Sequence, residues 1–187
     1  MVFLPVLAVA VLVGLALGGR VGALASIRLR AMPLLYAAIA LQLVAFPPVF
    51  FPFDMDGWPS RALWLASYAC LLTAGLLNLH LRGIVLVLAG IAANVIAVTA
   101  NGGVMPALPE AARDAGMQAP ATYNSVTQAD PHLSWLVDRW AAPEWVPFAN
   151  VVSIGDILLA VGGFVLVLSA MKVPLLRRVD PQAAGSD

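Results

Sequence analysis

The run VPFANVVSIGDILLAVGGFVLVLSA, residues 146–170, decides the fold. It is long and apolar enough to cross a bilayer as a helix, because about 20 helical residues cover a hydrocarbon core of about 30 Å. It holds one ionisable side chain, Asp156. A carboxylate near the middle of a span costs about 2.5–3.5 kcal/mol on insertion scales, so it is expected to face other helices and to mark a site. Asn150 and Ser153 precede it near one face of the same helix. Gly155 allows a neighbouring backbone to approach that face.

Composition leads the same way. Of 187 residues, 61% are hydrophobic and 11% charged, and the mean hydropathy is +0.92. A soluble domain carries about 25% charged residues, so the shortfall predicts an integral membrane protein. A formal net charge of zero leaves no electrostatic footprint for nucleic acid. Cys70 stands alone, which excludes an intramolecular disulfide and a cysteine-based metal cluster. His80 and His132 lie far apart, so no metal site is expected. His80, near one end of a span, is a possible haem or chlorophyll ligand, but the ordinary role of such a residue is a polar end reaching the interface; no cofactor is expected.

Four further runs are long enough to span, at 2–18, 31–51, 60–79 and 83–100. Arg20, Arg28 and Arg30 follow the first, Arg82 follows the third, and Lys172, Arg177 and Arg178 follow the last. The excess of basic residues places that side in the cytoplasm. Arg61, Arg113 and Arg139 remain outside, with most of the acids. The expectation is therefore an all-α bacterial inner-membrane protein with five transmembrane helices, N-terminus out and C-terminus in. Residues 1–100 supply four helices, 101–145 an extracytoplasmic cap, 146–170 the fifth helix and 171–187 a cytoplasmic tail. Trp58, Trp64, Trp135, Trp140 and Trp145 are expected at the outer interface.

The cap is expected to carry two short helices. The first covers 109–115, with a proline at its first position and Gly116 as its stop. The second covers 131–140, with Asp130 as N-cap and Pro131 at its first position. On that helix Leu133, Leu136, Val137 and Trp140 form the apolar stripe, and Asp138 faces water on the opposite side.

Counted along the spans, Gln42, Ser67, Asn94 and Asp156 reach similar depth in the outer half of the bundle. Two readings fit them: a polar pocket open to the outer face, or hydrogen bonds that glue helices together. The Asn101-Gly102-Gly103 turn offers backbone donors suited to a carbonyl or a headgroup, or else ends a helix. Candidate binding residues are thus Gln42, Asn94, Asn101, Gly102, Gly103, Asn150 and Ser153, around Asp156.

Arg30, Gln42, Asn94, NGGVMP at 101–106 and SIGD at 153–156 together resemble an uncharacterised bacterial multi-pass membrane family, a domain of unknown function. That resemblance implies a topology and important positions rather than a reaction. A fainter resemblance is to the lipoprotein signal peptidases, which use two aspartates at the outer membrane surface. Leu136-Val137-Asp138 and Phe148, Asn150, Asp156 and Gly162 carry it, and it implies a hydrolase with Asp138 and Asp156 as a catalytic pair. Asn150 and Asp156 stand farther apart than in that family, and five spans replace four. Three roles remain: an accessory subunit of a larger membrane-protein complex, a binding or carrier protein, and an aspartate-dyad hydrolase. Membrane lipids are the partners common to all three.

Overall fold

The computed structural model describes residues 3–46, 57–116, 125–142 and 151–174. Five apolar helices dominate it. They are α1 (Phe3–Ala16), α2 (Met32–Ala45), α3 (Trp58–Leu77), α4 (Ile84–Ala100) and, last in the chain, α6 (Ile154–Ala170). A 3-10 turn, Val21–Ser26, follows α1. Between α4 and α6 lies a cap of β1 (Met105–Ala107), α5 (Pro109–Asp114), β2 (Ser125–Thr127), β3 (Trp140–Ala141) and β4 (Val151–Val152). The principal helix contacts run in the order α1, α6, α4, α3, α2. Among the described helices, α3 with its 20 residues is long and apolar enough to cross a membrane, and the other four are shorter apolar helices.

Two sequence expectations fail. The last helix begins at Ile154 rather than at position 146, so Asp156 sits in its first turn and not deep within a span. Residues 151–152 instead pair antiparallel with β3, and Ser153 starts the helix as its N-cap. The cap, expected to be partly helical, carries short strands as well as α5. Strand β1 pairs in parallel with β2 in register Met105–Ser125, and on its other side it bridges Asp138. The helix expected over 131–140 does not form: Leu133 takes a left-handed φ of 54°. Two ties outweigh local propensity there. The Asn101 side chain holds the His132 backbone, and β1 takes up Asp138 in extended form.

Helices α4 and α6 meet through glycine. A Cβ on Gly90 would collide with the Gly155 carbonyl, and one on Gly162 with the Gly83 carbonyl and the Val87 amide. Both pairs are seven residues apart along their helices, so two close crossings line up on one seam, as small residues allow. At the cap end, Met105 and Leu136 bury against Ala45, Trp64, Ala97 and Val98, with Phe46 and Tyr68 packed alongside. Trp64 is 5% exposed and belongs to this core, not to an interface; its ring meets Phe46 edge-on at 5.4 Å. Trp58 and Trp135 are exposed, and Trp145 lies outside the described residues.

The seam sets a graded expectation. Gly155→Ala, which drives a methyl into Asn94 and the Gly90 carbonyl, should destabilise by at least about 1–3 kcal/mol. Gly75→Ala meets only the Leu88 side chain and should cost less, and Gly22→Ala, which meets nothing, should be near neutral. Unfolding in mixed micelles titrated with SDS measures the order.

Candidate functional site

The site grows from the start of α6. A helix N-terminus leaves backbone N–H groups without partners, and here it lies against α4 with Ser153 fully buried. The sequence supplies a capping box. The Asp156 N–H donates to Ser153 Oγ at 3.1 Å, and the Ser153 N–H donates to Asp156 Oδ2 at 3.0 Å. Asn94 then joins both from α4. Its Nδ2 donates to Asp156 Oδ1 at 3.0 Å, and its Oδ1 accepts from the Ser153 hydroxyl at 2.9 Å. Two oxygens that each receive a hydrogen bond suit an acceptor-only carboxylate, and its negative charge sits favourably at a helix N-terminus.

Asp138 comes to this charge along the cap. Its backbone is fixed on both sides of β1: its N–H donates to the Pro106 carbonyl at 3.0 Å, and its carbonyl accepts from the Leu108 N–H at 2.9 Å. Val137 before it is fully buried. The expected position facing water is therefore wrong, because the helix that required it is absent. Burial, reinforced by the Asp156 carboxylate, pushes the Asp138 carboxyl from its ordinary 3.8 up to about 8. Near neutral pH the Asp138 carboxyl therefore favours its protonated form. Tyr68 on α3 lies within electrostatic reach of both acids. Sequence reading missed it, although it lies one turn beyond Trp64 and beside Ser67 on the helix that faces the cap core.

The other candidates are placed elsewhere. Gln42 Nε2 donates to Ser67 Oγ at 3.1 Å, which joins α2 to α3. Asn101 clamps the cap: its Nδ2 donates to the Ala97 and His132 carbonyls, and its Oδ1 accepts the His132 N–H at 2.8 Å. Gly102 and Gly103 have φ of 73° and 86°, and the Gly103 N–H donates back to the Val98 carbonyl, a glycine stop of α4. That amide is therefore occupied, and the Gly102 carbonyl accepts from Arg61. Asn150 lies outside the described residues. Asn78, at the end of α3, repeats the clamp of Asn101 at the opposite end of the bundle. Its Nδ2 donates to the Ala74 and Arg30 carbonyls, and its Oδ1 accepts the Arg30 N–H at 2.8 Å. The shared signal in the sequence is an asparagine that closes an apolar helix. Among the described residues no cluster of His, Cys, Asp and Glu suits a metal.

Two outcomes test this geometry. Asn94→Ala strands the Ser153 hydroxyl and one Asp156 oxygen and should cost about 1–3 kcal/mol, read by the same SDS titration. The raised Asp138 value means that the folded chain binds a proton the unfolded chain releases between about pH 4 and about pH 8. Stability should therefore fall as pH rises through that interval and level off above about 8, and Asp138→Asn should flatten the slope.

No curated protein and no solved structure matches the chain. One family model does, over residues 26–168, a stretch that holds α2 to α5 and nearly all of α6, with Asn94, Asp138 and Asp156 inside it. By that match the chain belongs to DUF5317, a family of unknown function.

Proposed function

We propose that this chain is a multi-pass bacterial inner-membrane protein with five spans, cap outside and C-terminus inside, and that Asp138 and Asp156 form an acid–base pair under the cap. Support for the membrane placement comes from which residues face outward. Ala10, Ala38, Ala74 and Ala97 are buried while Leu12, Tyr36, Ile39, Leu76 and Val85 are more than half exposed. Soluble proteins bury their large apolar residues, whereas bundles in lipid bring small residues together and turn large ones outward. Helices of 14 to 17 residues fall short of the full core thickness, a mismatch that local thinning and flanking residues accommodate.

The chemistry favoured is hydrolysis of an ester or amide in a membrane-borne substrate at the outer surface. One arrangement carries it: the main-chain bonds of Asp138 to β1 bring its carboxyl inward, where burial and the nearby Asp156 carboxylate push it up to about 8. Two acids whose surroundings split them in this way divide the roles of base and acid. The Asp156 carboxylate would take a proton from water as the water oxygen attacks the carbonyl carbon. Asp138 would give its proton to the leaving oxygen or nitrogen. The Tyr68 hydroxyl would donate to the developing oxyanion. A proton passing from Asp156 to Asp138, directly or through water, restores the pair.

A second reading has its own observation. Both Asp156 oxygens are already engaged in starting α6 and tying it to α4, which is what an accessory subunit of a larger complex needs. Asp138→Asn separates the two, because it leaves that network intact. In a deletion strain of the native host, scored by its lipid and membrane-protein profile, the hydrolase reading expects Asp138→Asn to lower turnover by about 10²-fold or more, with normal protein in the membrane. Full rescue by Asp138→Asn sinks it and favours the accessory role.

A further inference from the structure

The end of the bundle farthest from the cap holds a cavity of about 450 Å³ where three segments converge. Ser26, Ile27 and Arg28 come from the link between α1 and α2, His80, Leu81 and Arg82 from the link between α3 and α4, Leu166, Ser169 and Ala170 from the end of α6, and Lys172 from just beyond it. Its described lining carries three fixed cations, Arg28, Arg82 and Lys172, with His80 beside them and no acidic residue. Leu81, Leu166, Ile27 and Ala170 give it an apolar wall, and Ser169 adds a hydroxyl. The pairing of a cationic rim with an apolar wall matches an anion that carries hydrocarbon.

We infer that this cavity binds the phosphate of an anionic phospholipid from the cytoplasmic leaflet, a claim that rests on the membrane orientation proposed above. Three observations favour lipid. The volume falls within the ordinary range of small-molecule sites. Basic pockets between helices on the cytoplasmic side are the usual seats of anionic headgroups. On either side of the link at His80–Arg82, Leu76 and Val85 are exposed, where acyl chains would lie beside the rim. The Arg28 guanidinium would take phosphate oxygens, Lys172 and Arg82 would add positive charge around it, and the acyl chains would run along Leu81 and Leu166. The Ser26 hydroxyl is directed to the Ala23 carbonyl and is not needed.

The full chain in nanodiscs of mixed phosphatidylcholine and phosphatidylglycerol, released into native mass spectrometry, tests the claim. Phosphatidylglycerol should stay bound in preference to phosphatidylcholine. Arg28→Gln and Lys172→Gln, both at exposed positions, should each weaken retention roughly fivefold. Lys172→Arg should keep it, and Arg113→Gln in the cap should leave it unchanged. Equal retention of the two lipids, or unchanged retention in both glutamine variants, overturns the proposal. Inorganic phosphate added to phosphatidylcholine nanodiscs separates the sources: no thermal shift at millimolar phosphate supports lipid, and a saturable shift lost in Arg28→Gln overturns lipid in favour of a soluble phosphate. A carbonate wash of native membranes keeps the premises apart. Release of the chain refutes the multi-pass reading, whereas retention without lipid preference refutes the cavity assignment alone.

Discussion

The start of α6 against α4 is the constraint on which the rest depends. Gly90 and Gly155 bring two backbones together, and at that contact the N–H groups of a helix end lie beside the buried Ser153 and Gly155. An uncapped end there would leave several polar groups unpaired, at about 1–3 kcal/mol each. Ser153 and Asp156 supply the cap from the chain's own sequence, and Asn94 joins the cap to the neighbouring helix. Close approach and polar satisfaction are thus one device. The lack of a side chain at 155 makes room for the amide at 94, and the amide fixes the rotation of α6 about its axis.

The carboxylate that closes this helix is also the charge that faces Asp138. Local stability and the split acid pair therefore draw on the same group. In an apolar setting, a second acid beside a carboxylate stays protonated, and Asp138 is held there by main-chain bonds that its own side chain does not influence. Places where a chain tolerates such a conflict tend to be functional. The buried Leu136–Val137 pair explains how the conflict is sustained. These side chains fill the core beneath the cap, and the acid directly after them is carried inward by their packing.

Much of the bundle was legible because hydropathy reports helices directly. The runs around α3 and α4 needed little beyond composition, and the Pro109 start of α5 was written in its own residues. The same signal overstated α6. Positions 146–152 are nearly as apolar as the helix after them, and hydropathy cannot tell a strand or a turn from a helix. The S-x-x-D spacing at 153–156 does mark a helix start, and read that way it would have moved Asp156 from mid-span to the first turn. The 131–140 stretch misled for a different reason. Its proline and stripe are genuine helix signals, but they are outweighed by Asn101 and β1, partners about thirty residues away in sequence that no local pattern reveals. Asn94 was visible as a polar residue in an apolar run; Tyr68 was not, because a tyrosine within an apolar helix has many ordinary uses.

The route by which Asp138 is fixed has a bearing on how freely the cap can vary. Strand β1 leaves α4 after only four residues, and both Asn101 and β1 seize the far side of the cap within that short reach. The acid is thus referenced to the end of α4. Closing a longer flexible stretch costs little, since each doubling adds only about 0.6 kcal/mol. Added length elsewhere in the cap would therefore leave Asp138 in register with β1, so that its surroundings can be remodelled around a fixed acid.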